Sequence, residues 1–197
     1  MSEIKTDKLS PRTGAGTVTL GTSGDSYTIP AGVTLTNAGT LTNSGTASGF
    51  GLFTSYAIIA DQKSQNTPGG TFTKDAWRTR DLNTEIADPD GIVSISSNQF
   101  TLGAGTYLIK WTPPAWNVRD QQSRLYNVTD TSEVAVGASN DATYFGDSTG
   151  SARVTITGST VFSIEHQASS TIATNGLGAA ANFGTEQYTT VEIYKEA

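Results

Sequence analysis

The chain has 197 residues, a net charge of -6, only 15% charged residues and no cysteine. This length is enough for one domain with a buried core and an elongated appendage. The acidic balance argues against a nucleic-acid binder, which needs basic groups to neutralise phosphates. The lack of cysteine excludes a disulfide framework, a thiolate metal site and a cysteine nucleophile.

Residues 1–16 carry mixed charges and contain no apolar run of the kind found in a secretory signal. We therefore expect a protein that is made and assembled in a cytoplasm. No window of the sequence approaches the ~20 apolar residues of a membrane helix, so we also expect no membrane insertion.

Residues 26–60 contain no charged side chain, and a six-residue repeat runs through them as VTLTNA, GTLTNS and GTASGF, from position 33 to position 50. Alternate residues of an extended chain point to opposite faces. The apolar residues then form one narrow edge, which consists of Val18, Leu20, Tyr27, Ile29, Val33, Leu35, Leu41 and Ala47. This edge is too thin to build a core alone, whereas three copies wound about a common axis would bury it. We predict an attachment segment and homotrimeric β-repeat stalk in residues 1–55, with a flexible linker as the alternative.

Residues 56–197 consist of strand-length runs separated by turn sequences, without sustained helical periodicity. In the run TYLIKWT, Tyr107, Ile109 and Trp111 share one face, as in a half-buried antiparallel strand. A series of such short strands predicts an all-β, antiparallel jelly-roll sandwich. We assign it to a head domain that follows the stalk.

Two connections in the head have recognisable sequences. DPDG at 88–91 predicts a β-turn, because Pro89 presets φ and Gly91 closes the turn. The segment RVTITGSTVFSIEH predicts a hairpin that turns at 157–160, with apolar residues of both strands facing inward.

An uncharged Thr/Asn/Gly repeat followed by a compact β head resembles the tail or head fibres of tailed bacteriophages. The phrases TLGTSGDSYTIPAGVTLTNAGTLTNSGTASGFG and YTTVEIYK look like modules of such proteins. This resemblance implies a homotrimer whose N-terminal segment attaches to other virion proteins and whose distal head meets the host surface.

The head itself, over residues 56–197, is similar to the trimeric jelly rolls of the tumour necrosis factor and complement globular-head superfamily. Gly105 and Tyr107, in the run GTYLIKW, match the complement-head pattern. Asn182, Phe183 and Gly184 echo the small-aromatic-Gly element near the end of that family.

His166 is the only histidine, so a Ser-His-Asp arrangement would have to use it. It lies in FSIEHQ in register with Phe162 and Ile164, which predicts a packed or interface residue rather than a catalytic one.

Paired acids would be needed to cleave a glycan, and two pairs are available: Asp88 with Asp90, and Asp141 with Asp147. Both pairs lie in turn or loop sequences, where Asp is favoured on local grounds. We therefore predict no enzyme activity, no catalytic residue, no cofactor and no metal site.

The polar loops are better suited to recognition than to catalysis, since aromatic, amide and guanidinium groups bind glycan or protein surfaces. The receptor-contact candidates are Trp116, Asn117 and Arg119 in the loop PPAWNVRDQQSR, and Tyr144 in a second polar loop. Gln121, Gln122 and Phe145 accompany them, and Trp77 with Arg78 and Arg80 invites the same interpretation. The alternative is that Trp116 covers the end of the sandwich.

Together these patterns predict a phage fibre structural protein, located in the virion, that adheres to a host-surface glycan or protein through its trimeric head. Two alternatives remain open. One is a decoration or collar protein without a receptor, and the other is a glycan-degrading tail spike.

Overall fold

The computed structural model of the chain describes residues 52–197, together with residues 26, 28, 29, 31, 32, 34, 36, 38 and 39. The predicted stalk, its repeat and its narrow apolar edge lie outside the described residues, apart from these isolated positions. Residues 47–197 form one compact unit, and the fold below is that of its described part.

Residues 52–197 form strands and no helix, so none of them forms a helix that is long and apolar enough to span a membrane. In chain order the strands are β1 Phe53–Lys63, β2 Arg78–Thr79, β3 Thr84–Ala87, β4 Val93–Ser96, β5 Gln99–Leu102, β6 Gly105–Thr112, β7 Pro114–Trp116, β8 Arg119–Asn127, β9 Ser132–Val136, β10 Asn140–Ala142, β11 Phe145–Asp147, β12 Gly150–Ile156, β13 Thr160–Ala168 and β14 Glu186–Glu196. The first strand starts slightly before the start predicted for the head.

The strands build two antiparallel sheets. The first has the order β12-β6-β14-β1-β3, and the second has the order β10-β8-β13-β5-β4, with β9 added beside β8 and β2 beside β13. The short strands β7 and β11 pair separately. Because the chain passes back and forth between the two sheets, the sandwich is a jelly roll. The prediction of an all-β, antiparallel jelly-roll head is confirmed.

One core lies between the two sheets, and both contribute alternate residues to it. The prediction for β6 is confirmed, because Tyr107, Ile109 and Trp111 are each at most 1% exposed. Phe100 and Phe162 of the second sheet face them, with ring centroids 5.7 Å apart in a stacked arrangement. Burial of these large side chains is the main stabilising contribution to the head.

The predicted hairpin at 153–166 is wrong. β12 pairs with β6 in the first sheet, whereas β13 pairs with β8 and β5 in the second. Residues 157–159 therefore carry the chain from one layer to the other. Val154 and Phe162 still face the core, because the two strands approach it from opposite sides. Alternation alone does not distinguish a hairpin within one sheet from a corner between two.

The predicted turn at 88–91 is present. The carboxylate of Asp88 accepts hydrogen bonds from the backbone N–H groups of Ile92 and Val93, at 2.9 Å each. Gly91 adopts a left-handed φ of 64°. Asp90 accepts a hydrogen bond from the hydroxyl of Ser55 at 2.6 Å. Both acids thus have structural roles in joining the start of β1 to the start of β4.

The sandwich has two ends that differ in what they carry. β1 starts at Phe53, opposite Glu196, and finishes at Lys63, opposite Glu186. We call the first of these the near end and the second the far end. β6 runs antiparallel to β14 and hence towards the far end, so the loop that follows β6 lies there. A second apolar cluster, with Phe72 as its largest member, supports the far end.

Candidate functional site

The four receptor-contact candidates come from two loops, and the structure brings them together at the far end. Phe145 of β11 pairs with Trp116 of β7. The backbone N–H of Asn117 donates to the carbonyl of Tyr144 at 3.1 Å, and Arg119 is the strand partner of Ala142. We call the region of Trp116, Asn117, Arg119, Tyr144 and Phe145 the loop cluster.

The sequence of the first loop explains its shape. Asn117 and Arg119 adopt left-handed φ angles of 56° and 64°, and Asn tolerates that region better than most residues. Between them Val118 is fully buried in the second apolar cluster. The buried valine anchors the loop, while Asn117 is half-buried and Arg119 is exposed.

The side chains of the loop cluster differ in their exposure to solvent. Tyr144 is 82% exposed and Phe145 is 65% exposed, whereas Trp116 is half-buried. Ala115 and Val118, not Trp116, take the fully buried positions at this end. Large exposed aromatic groups on a supported loop are typical of contact surfaces. Receptor contact by these residues stays a prediction.

A polar groove of about 580 Å³ adjoins the loop cluster. Its walls come from four separated stretches of the chain: Asp75 with Trp77, residues 120–122, residues 139–141 and residues 167–169. Pairing of β8 with β10 and with β13 brings the last three stretches side by side. The sequence had pointed to Trp77, Gln121 and Gln122 but not to a shared groove.

Trp77 of this polar groove is held by a neighbouring arginine. The guanidinium carbon of Arg124 lies 4.2 Å from the centroid of the Trp77 ring and 4.6 Å from that of Tyr126. The same guanidinium donates to Glu165 at 2.6 and 2.8 Å and to Glu133 at 3.3 Å. A cation fixed by two acids and stacked on an aromatic face holds the indole in one orientation.

Arg80, which the sequence grouped with Trp77 and Arg78, lies in the interior instead. It is 1% exposed; its Nε donates to the hydroxyl of Thr189 at 2.9 Å, and its Nη2 donates to the carbonyl of Leu177 at 2.7 Å. Burial lowers the pKa of Arg80 to about 10. The residue is therefore not available at the surface for recognition.

His166 is fully buried, which confirms the prediction of a packed residue. Its ring lies edge-on to Phe72, with centroids 4.9 Å apart. Neither ring nitrogen has a hydrogen-bond partner within the described part of the chain. Burial, reinforced by the positive charge of Arg80, holds the pKa of His166 well below its usual value of 6.5. The imidazole is neutral at pH 7 and does not line the polar groove.

The second candidate pair of acids, Asp141 and Asp147, occupies two different environments. Asp141 is exposed and accepts a hydrogen bond from the hydroxyl of Thr143 at 2.6 Å, and it lines the polar groove. Asp147 is half-buried, and burial raises its pKa. Among the described residues, no three His, Asp or Glu side chains are grouped closely enough to hold a metal ion.

A different surface lies on the first sheet, on the face that points away from the second sheet. Phe53, Tyr56, Ile58, Leu108 and Tyr194 share it, and we call it the aromatic face. Tyr56 and Tyr194 are strand partners, as are Leu108 and Tyr194, and the rings of Phe53 and Tyr194 lie 5.2 Å apart. Tyr56 is 45% exposed and the others are half-buried in the single chain.

No family model and no curated protein matches this sequence, but solved structures match the head. Murine APRIL at pH 5.0 is similar with a TM-score of 0.50 and 10% identity, over 72% of this chain and 98% of that chain. The globular domain of the zebrafish complement 1qA protein has a TM-score of 0.45 and 14% identity, over 71% of this chain and 95% of that chain. At such identities a likeness shows the fold alone. The jelly-roll fold of the head is thus shared with the solved structure of murine APRIL.

Proposed function

We propose that the chain is a homotrimeric fibre protein of a virus particle, of the tailed-bacteriophage kind, and that its head binds the host surface. The observation that carries this proposal is the placement of the loop cluster. Its exposed aromatic groups lie at the far end, whereas the chain passes into the head at Phe53, at the near end. A head attached at one end and provided with contact groups at the other suits an adhesin.

The aromatic face supports the trimeric part of the proposal. Exposed apolar patches on a sheet are typical of interaction surfaces, and the occupants proposed here are two further copies of the same chain. Among the described residues, two ion pairs lie beside these apolar side chains, Lys110 with Glu192 at 3.2 Å and Arg153 with Glu196 at 2.7 Å. Three copies would also bury the narrow apolar edge expected from residues 1–55. That segment would attach the trimer to other virion proteins.

The burial and hydrogen bonding of the titratable groups are compatible with a role without catalysis. His166 is enclosed, and Asp88 is occupied by two backbone N–H groups. Neither arrangement provides an acid and a base on opposite sides of a bound sugar, as glycan hydrolysis requires. Binding therefore accounts for the exposed groups better than cleavage does.

The mass of the full chain in solution tests the trimer. We expect sedimentation to give three times the chain mass of 20.6 kDa. Ile58→Glu places a carboxylate opposite Glu192 on the aromatic face and should yield monomers with an unchanged circular dichroism spectrum. Val136→Glu, at an exposed valine of the second sheet, is the matched control and should remain trimeric. A monomeric wild-type chain would refute the trimer, and a trimeric Ile58→Glu variant would refute this contact face.

Binding of the labelled full chain to a panel of bacterial strains tests adhesion. Tyr144→Ser should reduce binding to a responsive strain several-fold, and Val136→Ser should not. Binding to purified virions without binding to any strain would favour the decoration or collar protein. Release of sugar fragments from cell envelopes would favour the glycan-degrading spike.

A further inference from the structure

The side chains of the polar groove are rich in hydrogen-bonding groups that the protein itself leaves unused. The amide of Gln167 makes no side-chain hydrogen bond within the described residues. Gln122 donates through Nε2 to the carbonyl of Gly137 at 3.2 Å and to Ser139 at 3.1 Å, which leaves its Oε1 as an acceptor. Among the described residues, the carboxylate of Asp120 accepts only a long bond, at 3.3 Å, from the hydroxyl of Ser169.

The indole of Trp77 gives the polar groove one apolar wall. Because Arg124 holds the ring, a ligand that packs against it loses little side-chain freedom of the protein. An aromatic surface beside planar amide and carboxylate groups suits a molecule with apolar C–H faces and a rim of hydroxyl groups. Sugars have this form.

The charge of the polar groove restricts the kind of sugar. Asp75, Asp120 and Asp141 line it, and no Lys or Arg does. Lys74 lies outside the lining and is paired with Asp75 at 3.1 Å. An anionic ligand would meet like charges in the lining without a cation among the lining residues, which costs binding energy and slows association.

We propose that the polar groove is a binding site for a neutral oligosaccharide and that it discriminates against sialylated, phosphorylated or sulfated glycans. This inference deepens the proposed adhesion, on which it rests, by naming the class of receptor. Three grooves on a trimer would bind a repeating glycan with avidity, so a weak single site is sufficient. A basic peptide would satisfy the acids, but it would leave the amide and hydroxyl groups without partners arranged for them.

Binding of the full chain to an array of neutral oligosaccharides and their sialylated and sulfated forms provides the test. We expect binding to neutral members only, followed by calorimetric titration with the best of them. Gln167→Ala removes an amide that makes no internal side-chain bond, so the fold should be kept while affinity falls about tenfold, which corresponds to ~1.4 kcal/mol.

A variant that changes which glycan is bound distinguishes a role in recognition from an effect on the stability of the fold. The double variant Asp120→Asn and Asp141→Asn keeps the shape of the groove and removes two negative charges. It should gain measurable binding to the sulfated form of the same oligosaccharide. Glu85→Gln, an exposed acid on the first sheet, is the matched control and should gain none.

Three results would overturn the inference: preference of the wild-type chain for acidic glycans, absence of binding to every glycan, or binding of a tetralysine peptide that Gln167→Ala leaves unchanged. Failure of the groove is distinguishable from failure of adhesion. If Gln167→Ala binds bacterial cells as well as the wild type does, while Tyr144→Ser does not, adhesion stands and the groove is not its site.

Discussion

Replacement of His166 by leucine should remove a defined part of the pH dependence of stability. The buried imidazole is neutral in the folded protein, because its pKa is held well below 6.5 by burial and by Arg80. In the unfolded chain the same group titrates near 6.5. Below that pH the unfolded state binds a proton that the folded state excludes, so acid favours unfolding. Above pH 6.5 the two states bind the same number of protons at this site.

The magnitude follows from linkage. While only the unfolded state is protonated, the free energy of unfolding falls by ~1.4 kcal/mol for each pH unit. Half of the unfolded chains are already protonated at pH 6.5, so lowering the pH from 6.5 to 5.0 should cost the wild type up to about 1.6 kcal/mol at this group. The loss stops once the pH reaches the lowered pKa of the folded state. His166→Leu should lack this slope, and it should be no less stable at pH 7.5, because it replaces ring nitrogens that have no partner.

Urea unfolding at one protein concentration, at pH 7.5, 6.5, 5.75 and 5.0, measures both slopes. Carboxylates with raised pKa values, such as Asp61 and Asp147, titrate in the wild type and the variant alike and cancel in the difference. Equal slopes for the two proteins between pH 6.5 and 5.0 would show that the imidazole is not kept neutral in the folded protein.

Three further substitutions and one control test the packing of the head, each by urea unfolding. A Cβ at Gly150 would overlap the ring of Trp111, so Gly150→Ala should destabilise by about 1–3 kcal/mol, whereas Gly158→Ala, where no atom lies within 4 Å, should change little. Ser123→Ala leaves the indole N–H of Trp111 without its 2.8 Å partner and should cost about 1–3 kcal/mol; an unchanged midpoint would contradict the assigned bond. Ile109→Ala creates a cavity in the core and should cost about 2–5 kcal/mol, and a loss below 1 kcal/mol would place the side chain outside the core.

The fold was predictable where the pattern is local. Alternation along β6 places Tyr107 and Trp111 on the buried face, because a strand repeats every two residues and one face is covered. The step from β12 to β13 was not predictable, since the same alternation suits a hairpin and a corner. Which of them forms depends on the partner strands, β6 and β8, and these come from elsewhere in the chain.

The site was predictable only in part for the same reason. Loop composition selected Trp116 and Tyr144, and the structure places them side by side. The polar groove was not predicted, because each of its four stretches is an ordinary polar loop or strand end until the sheet assembles them. Phe183, which echoes the small-aromatic-Gly element in sequence, is 97% exposed in the loop before β14. A short motif match carries no information about burial.

The pairing of β1 with β14 has a mechanical consequence. The chain passes into the head at Phe53, and the proposed ligand sites lie at the far end, so tension between the two runs parallel to the strands. β1 is bonded on one side to β14 and on the other to β3, and such a load shears both ladders at once instead of peeling hydrogen bonds one by one. A load applied between the near end and the far end would therefore act along the direction in which the head resists extension most strongly.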